Sequence, residues 1–202
     1  MRWMMMLIAT AGMAQADPVE QMAAAAGAAF ARMPDVVVVD RIAGRCGADA
    51  AVHETVAYCT TSNEIFLAQA ARNRPDAPYL LGHAYGHAVQ VQHGVADAAL
   101  RAIRRRPEDE TMLRTFVELQ VDCIAGALVE RAGLGPLDLE DLFDADPFAD
   151  IHWGRNPLRI GPQISVPLAD RATWFAVGQS NGVVACAPGE FTSDLLIDAL
   201  QD

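Results

Sequence analysis

Hydrophobic and polar positions along the chain alternate with two different periods. Pro18 to Met33 is alanine-rich with helical spacing and predicts a first helix. Asp35 to Asp40 carries four consecutive valines and predicts a strand. Two short β-type runs, Thr55 to Thr60 and Glu64 to Ala68, flank Thr61-Ser62-Asn63 and predict a hairpin. After Arg74-Pro75 a helix is expected from about Pro78 to His93. Leu80, Leu81, Ala84, Ala88 and Val91 keep its spacing, and Gly94 is its expected stop. Pro107-Glu108-Asp109-Glu110 opens another helix, with proline in the first turn and acids on the positive end of the dipole. It should run to about Ala132, with Gly133 closing it. A shorter helix is expected near Leu137 to Phe143, then a Pro-, Gly- and Asp-rich loop from Asp144 to Val166. Helices from about Leu168 to Ser180 and from Ser193 to Leu200 complete the pattern. No repeat or linker divides the chain. The pattern predicts one α+β domain, a small antiparallel sheet followed mostly by helices.

Charge narrows the partners. The 202 residues carry a formal net charge of -11, and all 15 basic residues are arginines. An acidic chain with pI near 4.7 is poorly suited to nucleic acid or anionic membrane. The one basic run, Arg104-Arg105-Arg106, is followed by Glu108, Asp109 and Glu110 and reads as a solvated loop or helix start.

The N-terminus has the form of a secretory signal. Arg2 precedes a short apolar run, Trp3 to Met13, and Ala14-Gln15-Ala16 is an A-x-A cleavage site. Residues 1–16 are therefore expected to be removed, leaving a mature chain 17–202 in the periplasm or outside the cell, without a membrane anchor. In an oxidising compartment Cys46, Cys59, Cys123 and Cys186 are an even set. Of three connectivities, the sequence-local one joins Cys46 to Cys59 and Cys123 to Cys186.

The candidate chemistry begins at His83-Ala84-Tyr85-Gly86-His87. Two histidines four apart on a helix point to one side and can share a metal ion. The downstream segment Glu118-Leu119-Gln120-Val121-Asp122-Cys123 places Glu118 and Asp122 four apart on one face of a second helix. Zn2+ sites of the two-histidine, one-glutamate type take their carboxylate in this way. Glu118 fits as the third ligand, and Asp122 as the acid that orients a ligand histidine through its other ring nitrogen. Leu119, Val121, Ile124 and Ala125 make the segment look buried, and a buried acid needs a partner.

These stretches resemble the bacterial neutral zinc metallopeptidases of the H-E-Y-G-H type. Ala57-Tyr58-Cys59 followed by Glu64-Ile65-Phe66-Leu67 is similar to the family's strand pair, and His83 to His87, continuing into Val89-Gln90, to its zinc helix. Glu118 to Cys123, followed by Ala125-Gly126, is similar to its E-L-Q-A-D-C-x-A-G block. Arg171, Trp174-Phe175, Gly178, Gly182 and Cys186 resemble its C-terminal block. The resemblance covers nearly all of the mature chain. It implies a zincin-like fold with zinc held by His83, His87 and Glu118.

Two departures bear on activity. Ala84 stands where the H-E-x-x-H motif has its general base. Ser165 to Asp170 stands where the family carries a His-Gly-Ser type sequence. The expectation is a zinc-binding pseudopeptidase with little or no proteolysis, which binds a peptide or protein in the old cleft. The alternatives are an active zinc hydrolase with a base from elsewhere and a metal-free scaffold. His53, Glu54, Glu64, Tyr85 and His93 are the titratable groups nearby in sequence. The three histidines outside the motif, His53, His93 and His152, read as surface or satisfied residues, and Tyr58, Trp174 and Phe175 as core or lining.

Overall fold

Asp17 opens the first element of the computed structural model, which describes residues 17–46, 54–149 and 164–201. The expected signal segment, His53 and His152 lie outside the described residues. Asp17 Oδ1 accepts a hydrogen bond from the Val19 amide at 2.9 Å and so caps α1 (Pro18–Ala29). The helix stops earlier than its alanine pattern predicts. Phe30 turns to extended geometry and forms an antiparallel bridge with Leu200, while the Gln201 amide donates to the Ala29 carbonyl at 2.9 Å. A partner so far along the chain leaves no mark on local periodicity.

The strands are β1 (Asp35–Val39), β2 (Val56–Cys59) and β3 (Glu64–Ala68), in the order β1-β3-β2. β2 and β3 form the expected antiparallel hairpin, with Val56 opposite Leu67 and Cys59 opposite Glu64. β1 pairs in parallel with β3, from Asp35 beside Glu64 to Val39 beside Ala68. The sheet is therefore mixed and not antiparallel throughout. Alternation of side chains reports which face is buried, not which strand lies alongside.

α2 (Ala77–Gln92) ends as expected before Gly94, whose φ of +80° is left-handed. A helix that the sequence reading did not assign, α3 (Val95–Arg105), starts at once. Val95, Ala99, Ala102 and Ile103 bury its apolar face. Arg104 and Arg105 occupy its last turn, where cations suit the dipole, so the arginine run closes a helix instead of starting one. α4 (Glu110–Arg131) ends with the Gly133 amide donating to the Glu130 carbonyl and the Leu134 amide to that of Val129. α5 (Leu139–Leu142), α6 (Leu168–Asn181) and α7 (Asp194–Ala199) follow the predicted positions closely.

α4 lies between α2 and α6, and small residues bring the three helices close. A Cβ on Gly86 of α2 would stand 2.8 Å from the Val121 carbonyl oxygen of α4. One on Gly178 of α6 would stand 1.8 Å from the Cys123 carbonyl oxygen, and one on Gly126 of α4 2.0 Å from that of Phe175. No larger residue fits those positions without moving a helix. The main core joins α1, α2, α4 and α6 to one face of the sheet through Met22, Phe30, Leu67, Leu81, Ile124 and Phe175. Two disulfides, Cys46–Cys59 and Cys123–Cys186, match the sequence-local pairing. The first ties the segment after β1 to β2, and the second ties α4 to the turn that follows α6. Among the described residues no helix is long and apolar enough to cross a membrane. The two disulfides fit a secreted or periplasmic protein.

Candidate metal centre

Three helices and one loop supply the side chains. Tyr79, His83 and His87 lie four apart along one stripe of α2, a spacing that stacks them on one face. Glu118 and Asp122 lie four apart on α4, and Arg171 is in the first turn of α6. Asp146 and Phe148 come from the loop after α5. The close packing of α2, α4 and α6 brings all of these together.

Asp122 is the hub. It is fully buried and accepts hydrogen bonds from Tyr79 Oη at 2.9 Å and Arg171 Nη1 at 2.7 Å. Its Oδ1 also meets His83 Nδ1 at 2.9 Å. A carboxylate oxygen that accepts from Tyr79 accepts here too, which puts the His83 hydrogen on Nδ1. That leaves a lone pair on His83 Nε2, which faces away from Asp122. Nε2 lies 3.2 Å from His87 Nε2 and 3.6 Å from Glu118 Oε2, and His87 Nε2 lies 3.7 Å from Glu118 Oε1. Four-coordinate zinc with bonds of ~2.0–2.2 Å needs ligand atoms about 3.3–3.6 Å apart. The separation of the two imidazole nitrogens falls near that range, and the two separations to Glu118 end on different oxygens of its carboxylate.

The same residues form the group that, among the described residues, could hold one metal ion. Its ligand atoms lie within 4.8 Å of one another. Its electrostatics favour a cation. Glu118, Asp122 and Asp146 face one guanidinium, Arg171, leaving an excess of negative charge. Burial lowers the His87 imidazole below its ordinary value of 6.5, against the pull of Glu118 and Asp122. A neutral imidazole is the form that ligates metals. Burial pushes the Asp122 carboxyl up, and Arg171 and Tyr79 draw it back. Burial alone would lower the Arg171 guanidinium, but Asp122, Tyr79, Glu118 and Asp146 raise it, so it stays charged.

Phe148 stacks on the His83 ring, centroids 3.8 Å apart and planes 17° off parallel, and fixes the ring's plane. His87 keeps 24 % of its side chain exposed, so the site is open to solvent on that side. Ala84 is buried in the main core one residue from His83.

His83, His87, Glu118 and Asp122 thus come together as the sequence predicted. Glu54 and Glu64 are not part of the metal-holding group. Tyr85 points to the other side of α2 and donates to the Pro34 carbonyl at 3.3 Å. His93 Nε2 lies 3.1 Å from the Ala31 carbonyl oxygen, the satisfied surface role expected of it. Tyr58 bonds Asn63 at 2.9 Å, and Phe175 is core. The sequence reading did not place Tyr79, Asp146, Phe148 or Arg171 in the site. Tyr79 was signalled by its place four residues before His83, whereas Asp146 and Phe148 sit in a loop with no periodicity to mark them.

Comparisons with protein-family models, curated proteins and solved structures gave no match.

Proposed function

We propose that this chain is a secreted zinc-binding protein of the neutral zinc metallopeptidase type, with a zincin-like fold and a disabled peptidase centre. The supporting observation is the convergence of His83 Nε2, His87 Nε2 and the Glu118 carboxylate, with Asp122 fixing the tautomer of His83. Signal cleavage after Ala16 would deliver it to the periplasm or the exterior, where its two disulfides are stable.

His83, His87 and Glu118 would hold the zinc. When bound, zinc in such a site lowers the pKa of its water towards ~7 and polarises a scissile carbonyl. Asp122 keeps the His83 lone pair aimed at the ligand position, and Phe148 holds the ring plane. Peptide hydrolysis also needs a group that takes a proton from water and returns it to the leaving amine. The methyl of Ala84 can do neither. Loss of a positioned base costs ~10²–10⁴ in rate. Tyr85 and His93, which could have stood in for it, are engaged elsewhere. What remains is a metal site suited to binding a peptide or protein without cutting it.

Ala84→Glu tests this reading with a fluorogenic peptide mixture and the mature protein. The expected result is no chelator-sensitive cleavage by the unsubstituted chain and a rise of ~10²–10⁴ in the variant. Robust chelator-sensitive cleavage by the unsubstituted chain would contradict the disabled centre and favour a base from elsewhere.

A further inference from the structure

We propose that Arg171, seated on Asp146, is the positioning residue of this centre: it aims the Glu118 and Asp122 carboxylates and so sets how tightly the site holds a divalent cation. The proposal rests on the metal-binding reading above.

Arg171 is only 1 % exposed. Removing a guanidinium from water costs several kcal/mol unless every face finds a partner. Here the partners are specific. One nitrogen, Nη1, reaches Asp122 Oδ2 at 2.7 Å and Glu118 Oε2 at 3.5 Å. It therefore touches both the carboxylate that orients His83 and the carboxylate that would ligate the ion. On its other side, Nε donates to Asp146 Oδ1 at 2.8 Å. Asp146 is itself held, because Oδ1 accepts from the Phe148 amide at 2.9 Å and Oδ2 from the Val166 amide at 3.2 Å. The guanidinium carbon also stands 5.2 Å from the centroid of Phe148, the ring stacked on His83. One cation thus connects Glu118, Asp122 and the support of His83.

Arg171 is not required as the link between α4 and α6. Backbone contact at Gly126 and Gly178 already closes that interface, and the Cys123–Cys186 disulfide ties α4 to the turn beyond α6. What the arginine adds is fork geometry. Its nitrogens sit in a fixed plane and can meet two carboxylates from defined directions, whereas a lysine carries the same charge at one point.

Arg171→Lys separates geometry from charge, and Asp146→Asn takes the negative charge and one of the two acceptor oxygens from the seat while leaving Arg171 in place. Zinc affinity is measured by competition with a chromophoric chelator, and coordination by the visible spectrum of the Co2+-loaded protein. The mature full-length chain is used for both. Both variants should bind zinc about 10- to 100-fold more weakly, with an altered Co2+ spectrum. A purely structural role would lower the melting temperature and leave both metal readouts unchanged. If Arg171→Lys does not fold, Asp146→Asn carries the decision. Unchanged affinity and spectrum in the folded variants overturn the proposal while leaving metal binding intact. Absence of metal binding in the unsubstituted chain overturns the parent reading, and this one with it.

Discussion

Two polar clusters are buried between α2 and α4, about one turn apart, and they are built differently. Around Gln90 and Gln120 the groups are neutral amides. Gln90 Nε2 donates to the Val117 carbonyl and to Gln120 Oε1, both at 3.1 Å. Gln120 Nε2 donates to the Cys186 carbonyl at 2.9 Å and the Thr192 carbonyl at 3.3 Å. Three of the four acceptors are backbone oxygens, so this cluster fastens the C-terminal segment to the helix pair. Around His83, Glu118, Asp122 and Arg171 the bonds run from side chain to side chain, and they leave lone pairs converging on one point. The first cluster ties backbone to the helix pair, with Gln90 Oε1 left without a hydrogen-bond partner; the second gathers side chains that could hold a metal ion. The contrast separates a cluster that fastens backbone from one whose side chains could hold a metal ion on the same two helices.

The two clusters meet at Cys123–Cys186. Cys123 follows Asp122, and the Cys186 carbonyl is one of the acceptors of Gln120. Replacing both cysteines by serine should weaken both clusters together. For a sequence separation of 63 the entropic cost is about 4 kcal/mol, against about 3 kcal/mol for the separation of 13 at Cys46–Cys59. Denaturant titration of each double variant reads this, and an equal or reversed order would remove Cys123–Cys186 from its central place.

Next in size is a pair of single changes that should part the clusters. Asp122→Asn is expected to weaken zinc binding about 10- to 100-fold, because one amide oxygen cannot accept from both His83 and Arg171 and the amide nitrogen must face one of these donors. Gln120→Leu is expected to cost about 1–3 kcal/mol of stability by leaving buried carbonyls without donors, with zinc affinity unchanged. Metal affinity that falls equally in both variants would mean that the two clusters are one unit.

The smallest effect lies far from both. Asp17 caps α1 and accepts from Arg72 Nε at 2.9 Å. These contacts, Arg72 first, hold its carboxyl below the ordinary 3.8. A depressed carboxyl contributes stability that is fully present above its unfolded value and is lost as the pH falls through the folded one. Asp17→Asn should therefore lower stability slightly at neutral pH and converge with the unsubstituted protein in strong acid. A gap that persists at low pH would place the effect outside this titration.

Much of this was legible in the sequence where local pattern controls structure. The spacing of His83 with His87 and of Glu118 with Asp122 put each pair on one helix face, and the structure brings the four side chains together. The hairpin, α2, α4 and α6 were equally readable. The misses share a cause. The parallel pairing of β1 with β3 and the early end of α1 at Phe30 are set by partners distant in sequence. Asp146 and Phe148 belong to an irregular loop, and only the fold brings them to Arg171 and His83. α3 is different, since Val95, Ala99, Ala102 and Ile103 carry a helical period of their own, next to the arginine run.

Elemental analysis of the purified mature protein decides whether His83, His87 and Glu118 hold a metal ion. The proposed zinc site requires about one zinc per chain, lost in a His83→Ala control. No bound metal in the unsubstituted protein, or an equal amount in the control, would contradict it and leave the converging lone pairs as part of a scaffold.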